Sequence, residues 1–285
     1  MIRQKKCMVL TIVSCCLAAV PMEAENIKFA DANVKAICVA NWDKDNDGEL
    51  SVEEAAAVTS LGTVFRGQKG ITTFDELRYF TNVTVIDAYS FSESSIGPVL
   101  TIPGTVKQIG DNAFYNCNRM TTVVLEEGVE SIGHNSFFGP VSTLVLPKSL
   151  QYMKPMSINP YANADPSSGI FIPVGDLTVI THSLVPAPVN EFAFYYVFGE
   201  GHLVVPAGCA ETYKTAESWA YFADYIEAGD VNRDGRLDIA DVTLLIAFIQ
   251  GRKHTETEAR IADVNGDGVL DGEDVEQLCQ YILGT

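Results

Sequence analysis

The chain has 285 residues, 37 acidic and 19 basic side chains, and a formal charge of −18 with histidine neutral. Phosphate contacts are made by clusters of Lys and Arg, and none occurs here, so nucleic acid is excluded as a partner. With 47% hydrophobic and 20% charged residues, usage is that of an ordinary globular chain, so a disordered acidic tail is not the source of the charge.

Arg3, Lys5 and Lys6 precede an uncharged run from Cys7 to Val20. A membrane-spanning helix needs about 20 apolar residues, so residues 1–24 predict a secretory signal and not a transmembrane helix. Cleavage after Ala24 is the favoured site. Ile12-Val13-Ser14-Cys15 resembles a bacterial lipoprotein signal, and a lipid anchor at Cys15 stands as the alternative. Either way the expected location is secreted or at the cell surface. Without residues 1–24 the chain keeps 36 acids against 16 bases, a formal −20, and four isolated cysteines. Cys38, Cys117, Cys209 and Cys279 show no CxxC pair, and each is read as a packing residue.

Residues 25–62 predict a helical, EF-hand-like N-terminal cap. Calcium takes six to eight oxygens, and a twelve-residue loop supplies them from positions 1, 3, 5, 7, 9 and 12, with glycine at 6. The segment from Asp43 to Glu54 satisfies every position. Asp43, Asp45 and Asp47 are expected to ligate through carboxylates and Glu49 through its carbonyl. Ser51 would act by its hydroxyl or a bridging water, and Glu54 by both oxygens. Val34, Ile37 and Cys38 before the loop, and Ala55 to Leu61 after it, permit flanking helices.

Residues 63–160 contain an internal repeat. Ile86-Asp87-Ala88-Tyr89-Ser90-Phe91 recurs as Ile109-Gly110-Asp111-Asn112-Ala113-Phe114 and again as Ile132-Gly133-His134-Asn135-Ser136-Phe137, at intervals of 23 residues. Val83, Val106 and Val129 keep the same register, and a degraded copy begins at Leu146-Pro147 with Leu150 and Met153 at its apolar positions. Each unit predicts a short strand (99–102, 122–125, 143–146), a turn and a compact corner. One such unit cannot bury its apolar side alone, so neighbours stack into a solenoid. Ile102-Pro103, Val106, Ile109-Gly110, Ala113-Phe114 and Cys117 resemble the signature of BspA-like leucine-rich repeats of bacterial surface proteins. That resemblance implies an α+β chain built on a short solenoid.

Residues 161–228 are expected to close the array. Asp176 to Ser183 alternates like a strand, and Leu203 to Gly208 leads into a helix-like stretch from Ala210 to Ala223 with Tyr213 and Trp219. The aromatic cluster of Phe192, Phe194, Tyr195, Tyr196 and Phe198 is read as core packing in preference to a sugar-stacking surface.

Two further loops lie in residues 229–285. One offers Asp230, Asn232, Asp234, Arg236 (carbonyl), Asp238 and Asp241; the other offers Asp263, Asn265, Asp267, Val269 (carbonyl), Asp271 and Asp274. Each precedes an apolar helix and ends in aspartate where an EF-hand usually has glutamate. The duplication resembles type I dockerin, which implies an all-α, paired F-hand module that binds calcium and docks to cohesin domains. Recognition in that family uses loop positions 10 and 11, here Ile239-Ala240 and Gly272-Glu273. Ile239 and Phe248 packing on the chain's own repeats stands as an equal reading. Up to three Ca²⁺ are expected, with twelve of the 36 acids as side-chain ligands.

His134, His182, His202 and His254 fall in no metal or triad spacing, and no catalytic residue is assigned. The leading expectation is a non-catalytic, calcium-binding exported protein. Its repeats bind a protein or a glycan, and its last module docks to a cohesin-like partner or in cis. The alternative, by module association alone, is a component of a polysaccharide-degrading system with O-glycosyl hydrolase activity.

Overall fold

The computed structural model describes residues 25–165, 170–173, 177–194, 197 and 201–284. The predicted signal, Ala24 and Cys15 lie outside the described residues. Two helices come first, α1 (Ala32–Trp42) and α2 (Val52–Ala56). The array then supplies β1 (Val85–Ile86), β2 (Val99–Ile102), β3 (Gln108–Ile109), β4 (Thr122–Leu125), β5 (Ser131–Ile132), β6 (Phe137–Gly139), β7 (Thr143–Leu146) and β8 (Tyr152–Met153). After β9 (Ile158–Asp165) and β10 (Ile170–Pro173) come β11 (Thr178–Thr181), β12 (His202–Val205), α3 (Ala210–Thr215) and β13 (Asp224–Glu227). The chain closes with α4 (Ile239–Ile249), α5 (Glu256–Ala262) and α6 (Gly272–Leu283). The class is α+β, a parallel β-solenoid with helices at both ends. No helix among the described residues is long and apolar enough to cross a membrane.

Two parallel sheets run along the solenoid. The narrow one has the order β1-β3-β5-β8 and the broad one β13-β12-β11-β7-β4-β2. The three strands predicted at 99–102, 122–125 and 143–146 occur at those residues, and the degraded copy supplies β8. The broad sheet continues past the recognisable repeats. β11, β12 and β13 pair in parallel with the strands before them, and the antiparallel hairpin of β9 and β10 is inserted between β7 and β11. The stretch expected to be helical from Ala210 to Ala223 is shorter. α3 ends at Thr215, a 3₁₀ turn holds Trp219, and the chain re-enters the sheet as β13.

The corners explain the repeat residues. Tyr89, Asn112, Asn135 and Met156 all take positive φ, 62°, 57°, 50° and 56°, where asparagine is the most tolerant non-glycine residue. The next residue is small and fully buried: Ser90, Ala113, Ser136 and Ser157. The Ser90 hydroxyl donates to the carbonyls of Gly62 and Asp87, and that of Ser136 to Gly110 and Gly133. Serine and alanine therefore interchange here, because the buried hydroxyl finds backbone acceptors. One residue on, Phe91, Phe114 and Phe137 stack with centroids 5.0 and 5.4 Å apart, and Phe65 extends the column at 5.0 Å.

Cys117 is buried, with Sγ 3.1 Å from the Phe91 carbonyl oxygen. Burial pushes its thiol up to about 11. Cys38 and Cys209 are buried and Cys279 is half-buried, all free thiols, which agrees with packing. Phe194 is buried against Trp219 and Phe222, at 5.2 and 5.3 Å. Phe192 is 44% exposed, and Tyr195, Tyr196 and Phe198 lie outside the described residues.

The broad sheet is covered on both faces, as parallel sheets usually are. Leu100, Val123, Leu144, Val179 and Leu203 point into the solenoid core. On the outer face Val124, Val145, Ile180, Val204 and Ile226 form one stripe, paired in register from strand to strand. Ile261 of α5 lies on this stripe and is fully buried. This is why β11 is buried at all four residues where its sequence alternates.

Candidate metal centres

In the first loop α1 ends at Trp42 and Ser51 caps α2. The Ser51 hydroxyl accepts from the Glu54 N–H while the Glu54 carboxylate accepts from the Ser51 N–H, a reciprocal capping box. Asp238 with Asp241 does the same for α4, and Asp271 with Asp274 for α6. Positions 9 and 12 of each loop are thus the N-cap and N3 residues of the following helix. α1 is anchored at its other end by Asp31, whose Oδ1 accepts from Asn33 and Val34. Its Oδ2 accepts from the Thr72 N–H at 2.6 Å and the Thr72 hydroxyl at 2.8 Å. A single carboxylate both starts the helix and ties it to the array.

The three loops share one backbone. Position 4 has positive φ in each, Asn46 at 60°, Arg233 at 58° and Gly266 at 78°, and position 6 is glycine at 84°, 80° and 85°. The N–H of the position-6 glycine donates to the position-1 carboxylate at 3.0, 3.0 and 2.9 Å. The position-7 N–H, of Glu49, Arg236 or Val269, donates to the position-5 carboxylate at 2.7, 3.0 and 2.8 Å. These bonds hold the carboxylates of positions 1 and 5 in the loop, where an oxygen-coordinated cation needs them.

The donor sets are those of a hard divalent cation. Carboxylate oxygens of Asp43, Asp45 and Asp47 all lie within 4.8 Å of one another. The later loops do not gather three carboxylates in this way, because position 3 is Asn232 or Asn265, whose amide oxygen supplies a neutral donor. Asp241 and Asp274 at position 12 are fully buried, and Asp230 and Asp263 at position 1 are nearly so. No Lys or Arg pairs with these four among the described residues.

Burial raises the pKa of Asp230 and Asp263. The N–H groups of Gly235 and Gly268 act against it, and the like charges of Asp241 and Asp274 reinforce it. At Asp45 the Asp47 N–H lowers the pKa, yet burial and the charges of Asp47, Glu54 and Asp43 outweigh it and raise the value. Crowded carboxylates without a basic partner are stabilised by a bound cation.

Between the second and third loops lies α5, which has no counterpart in the sequence expectation. Its signal is the capping box of Thr255 and Glu258, with the Glu258 carboxylate accepting from the Thr255 N–H at 2.6 Å. The two residues weighed for packing on the repeats take other places. Phe248 belongs to the module's own core with Val231, Val242, Leu245 and Leu278, and Ile239 is 72% exposed. The apolar side chain that packs on the outer stripe of the array is Ile261. The remaining loop positions 10 and 11, Ala240, Gly272 and Glu273, are also exposed.

The family model of the BspA type Leucine rich repeat region matches six copies over residues 65–162. That of the Dockerin type I domain matches residues 228–283. A comparison with curated proteins finds no match.

Proposed function

From BspA-type leucine-rich repeats over residues 65–162 and a type I dockerin domain over residues 228–283, we propose a calcium-binding, exported interaction protein that docks to a cohesin partner. The repeat array presents the surface that binds a protein or a glycan. The assembly this implies is cellulosome-like, concerned with polysaccharide breakdown.

The observation that carries the reading is the shared geometry of the loops. All three hold six oxygen donors on one backbone. The two in the dockerin domain bury four carboxylates with no Lys or Arg paired to them among the described residues. Type I dockerins generally bind calcium and imply a cohesin, and we extend calcium to the loop from Asp43 to Glu54 on its matching backbone. Extracellular sites of this kind bind with dissociation constants of about 10⁻⁴ to 10⁻³ M, enough for occupancy outside the cell.

Docking in trans is supported by the exposure of Ile239, Ala240, Gly272 and Glu273. The test is binding of the full chain to a panel of cohesin domains in calcium and in EGTA, beside the variant Ile239→Asp. Calcium-dependent binding weakened by the substitution is expected. Binding to no cohesin, or binding indifferent to EGTA, overturns the reading.

A further inference from the structure

We infer that the loop from Asp263 to Asp274 is a calcium-operated clasp that fastens the dockerin domain to the outer face of the repeat sheet. The inference rests on the calcium reading above and adds an intramolecular role for one of the three loops.

The apolar part of the contact is Ile261 on the stripe of Val145, Ile180, Val204 and Ile226. Ile261 stands two residues before the ligand Asp263, whose N–H closes α5 by donating to the Ala259 carbonyl at 2.9 Å. The position of the anchor is therefore set by the loop that follows it. The loop before α4 begins at Asp230, directly after β13, and connectivity alone keeps it beside the array. The last loop is separated from the array by α4 and α5, so non-covalent contact has to hold it there.

Gly266 marks that contact. A Cβ on Gly266 would lie 2.5 Å from Nδ1 and 2.7 Å from Cγ of His182. The loop backbone does not itself require glycine at this position. Asn46 and Arg233 occupy it in the other two loops at similar positive φ. What excludes a side chain at 266 is the array residue His182, and so the glycine belongs to the docking and not to the metal site.

Charge supplies the calcium dependence. Asp263 and Asp267 line a cavity of about 400 Å³ with Glu126 and Glu127 of the array, and Arg260 also borders it. Without a cation the loop's carboxylates face like charges across the boundary. One Ca²⁺ lowers the formal charge of the loop's four aspartates from −4 to −2, which weakens that repulsion and orders the segment that carries Ile261. Coupling of this kind is reciprocal, so the docked array must strengthen the loop's hold on calcium.

The test uses the full chain and three variants, Gly266→Asn, His182→Ala and the double substitution. Small-angle scattering reads compaction, calorimetry with calcium alone reads binding, and near-ultraviolet dichroism checks that the array stays folded. The wild type is expected to expand when EGTA replaces calcium. Gly266→Asn should be expanded even in calcium. It should keep its calcium stoichiometry, with one class of sites weakened about 5- to 150-fold. His182→Ala should stay compact, and adding it to Gly266→Asn should restore compaction by removing the ring. A wild-type radius indifferent to EGTA, or a compact Gly266→Asn, overturns the clasp while leaving the calcium reading intact. Absence of any calcium binding overturns both.

Discussion

Replacing Phe114 by Ala tests whether the aromatic column is what couples one repeat to the next. Phe114 is fully buried and stacks on Phe91 at 5.0 Å and on Phe137 at 5.4 Å, both nearly parallel. Truncating a buried Phe to Ala costs about 3–5 kcal/mol from lost transfer energy and the cavity left behind. Each aromatic pair is worth about 0.5–1.5 kcal/mol beyond buried area. Phe137 is equally buried but stacks on one ring, Phe114, among the described residues. Phe114→Ala should therefore cost about 0.5–1.5 kcal/mol more than Phe137→Ala. Urea denaturation in calcium, followed by far-ultraviolet dichroism, gives both values from shifts in midpoint at constant slope. A loss below about 2 kcal/mol for Phe114→Ala, or equal losses for the two variants, would refute the column as the coupling element.

Calcium removal should loosen the C-terminal module before the array. Hydrogen exchange in EGTA is expected to rise in α4 and α6 while β2, β4 and β7 keep their protection; uniform exchange across the chain would contradict this. Asp31→Ala removes both an N-cap and the charged hydrogen bonds to Thr72, and should cost about 2–4 kcal/mol. The same residue gives an acid dependence. Burial raises the Asp31 pKa, but hydrogen bonds from Thr72, Asn33 and Val34 outweigh it and hold it below the usual value. Its contribution is complete above the unfolded carboxyl pKa of about 3.9 and is lost as pH falls through the lower folded value. Asp31→Ala should flatten stability over that acid range in a pH series of urea melts, and an unchanged slope would count against the bonds to Thr72. In the chain lacking residues 1–24, a disulfide-exchange reagent should titrate Cys279 alone in the native state. Rapid reaction of Cys117, whose thiol is pushed up to about 11, would contradict its buried packing role.

The repeat and the loops were readable in the sequence because both are written by spacing. A 23-residue interval in Ile109 and Ile132, or a glycine at position 6 of each acidic loop, survives without knowledge of partners. The broad sheet beyond β7 was less readable for a physical reason. The hairpin of β9 and β10 breaks the interval, so β11, β12 and β13 lose their register with the earlier copies although they continue the same ladder. Packing direction was hidden where an element is apolar on several sides. α4 carries Ile239, Val242, Leu245, Ile246, Phe248 and Ile249, and its partners Val231, Ala262, Val264 and Leu278 decide that Val242, Leu245 and Phe248 turn inward. α5 was concealed for the opposite reason. Glu256, Glu258 and Arg260 give it the look of a solvated connection, while its apolar contact with the array is made by Ile261.

The join between β13 and the dockerin domain has no spacer. β13 ends at Glu227, and the N–H of Gly229 already donates to the Ile261 carbonyl at 2.8 Å. A protein tethered to a scaffold through a flexible linker searches a volume set by linker length, and gains or loses avidity with it. This chain has almost no reach of its own. Once anchored, its array would stand as a fixed bracket, and the targets available to it would be those the scaffold itself brings within touching distance.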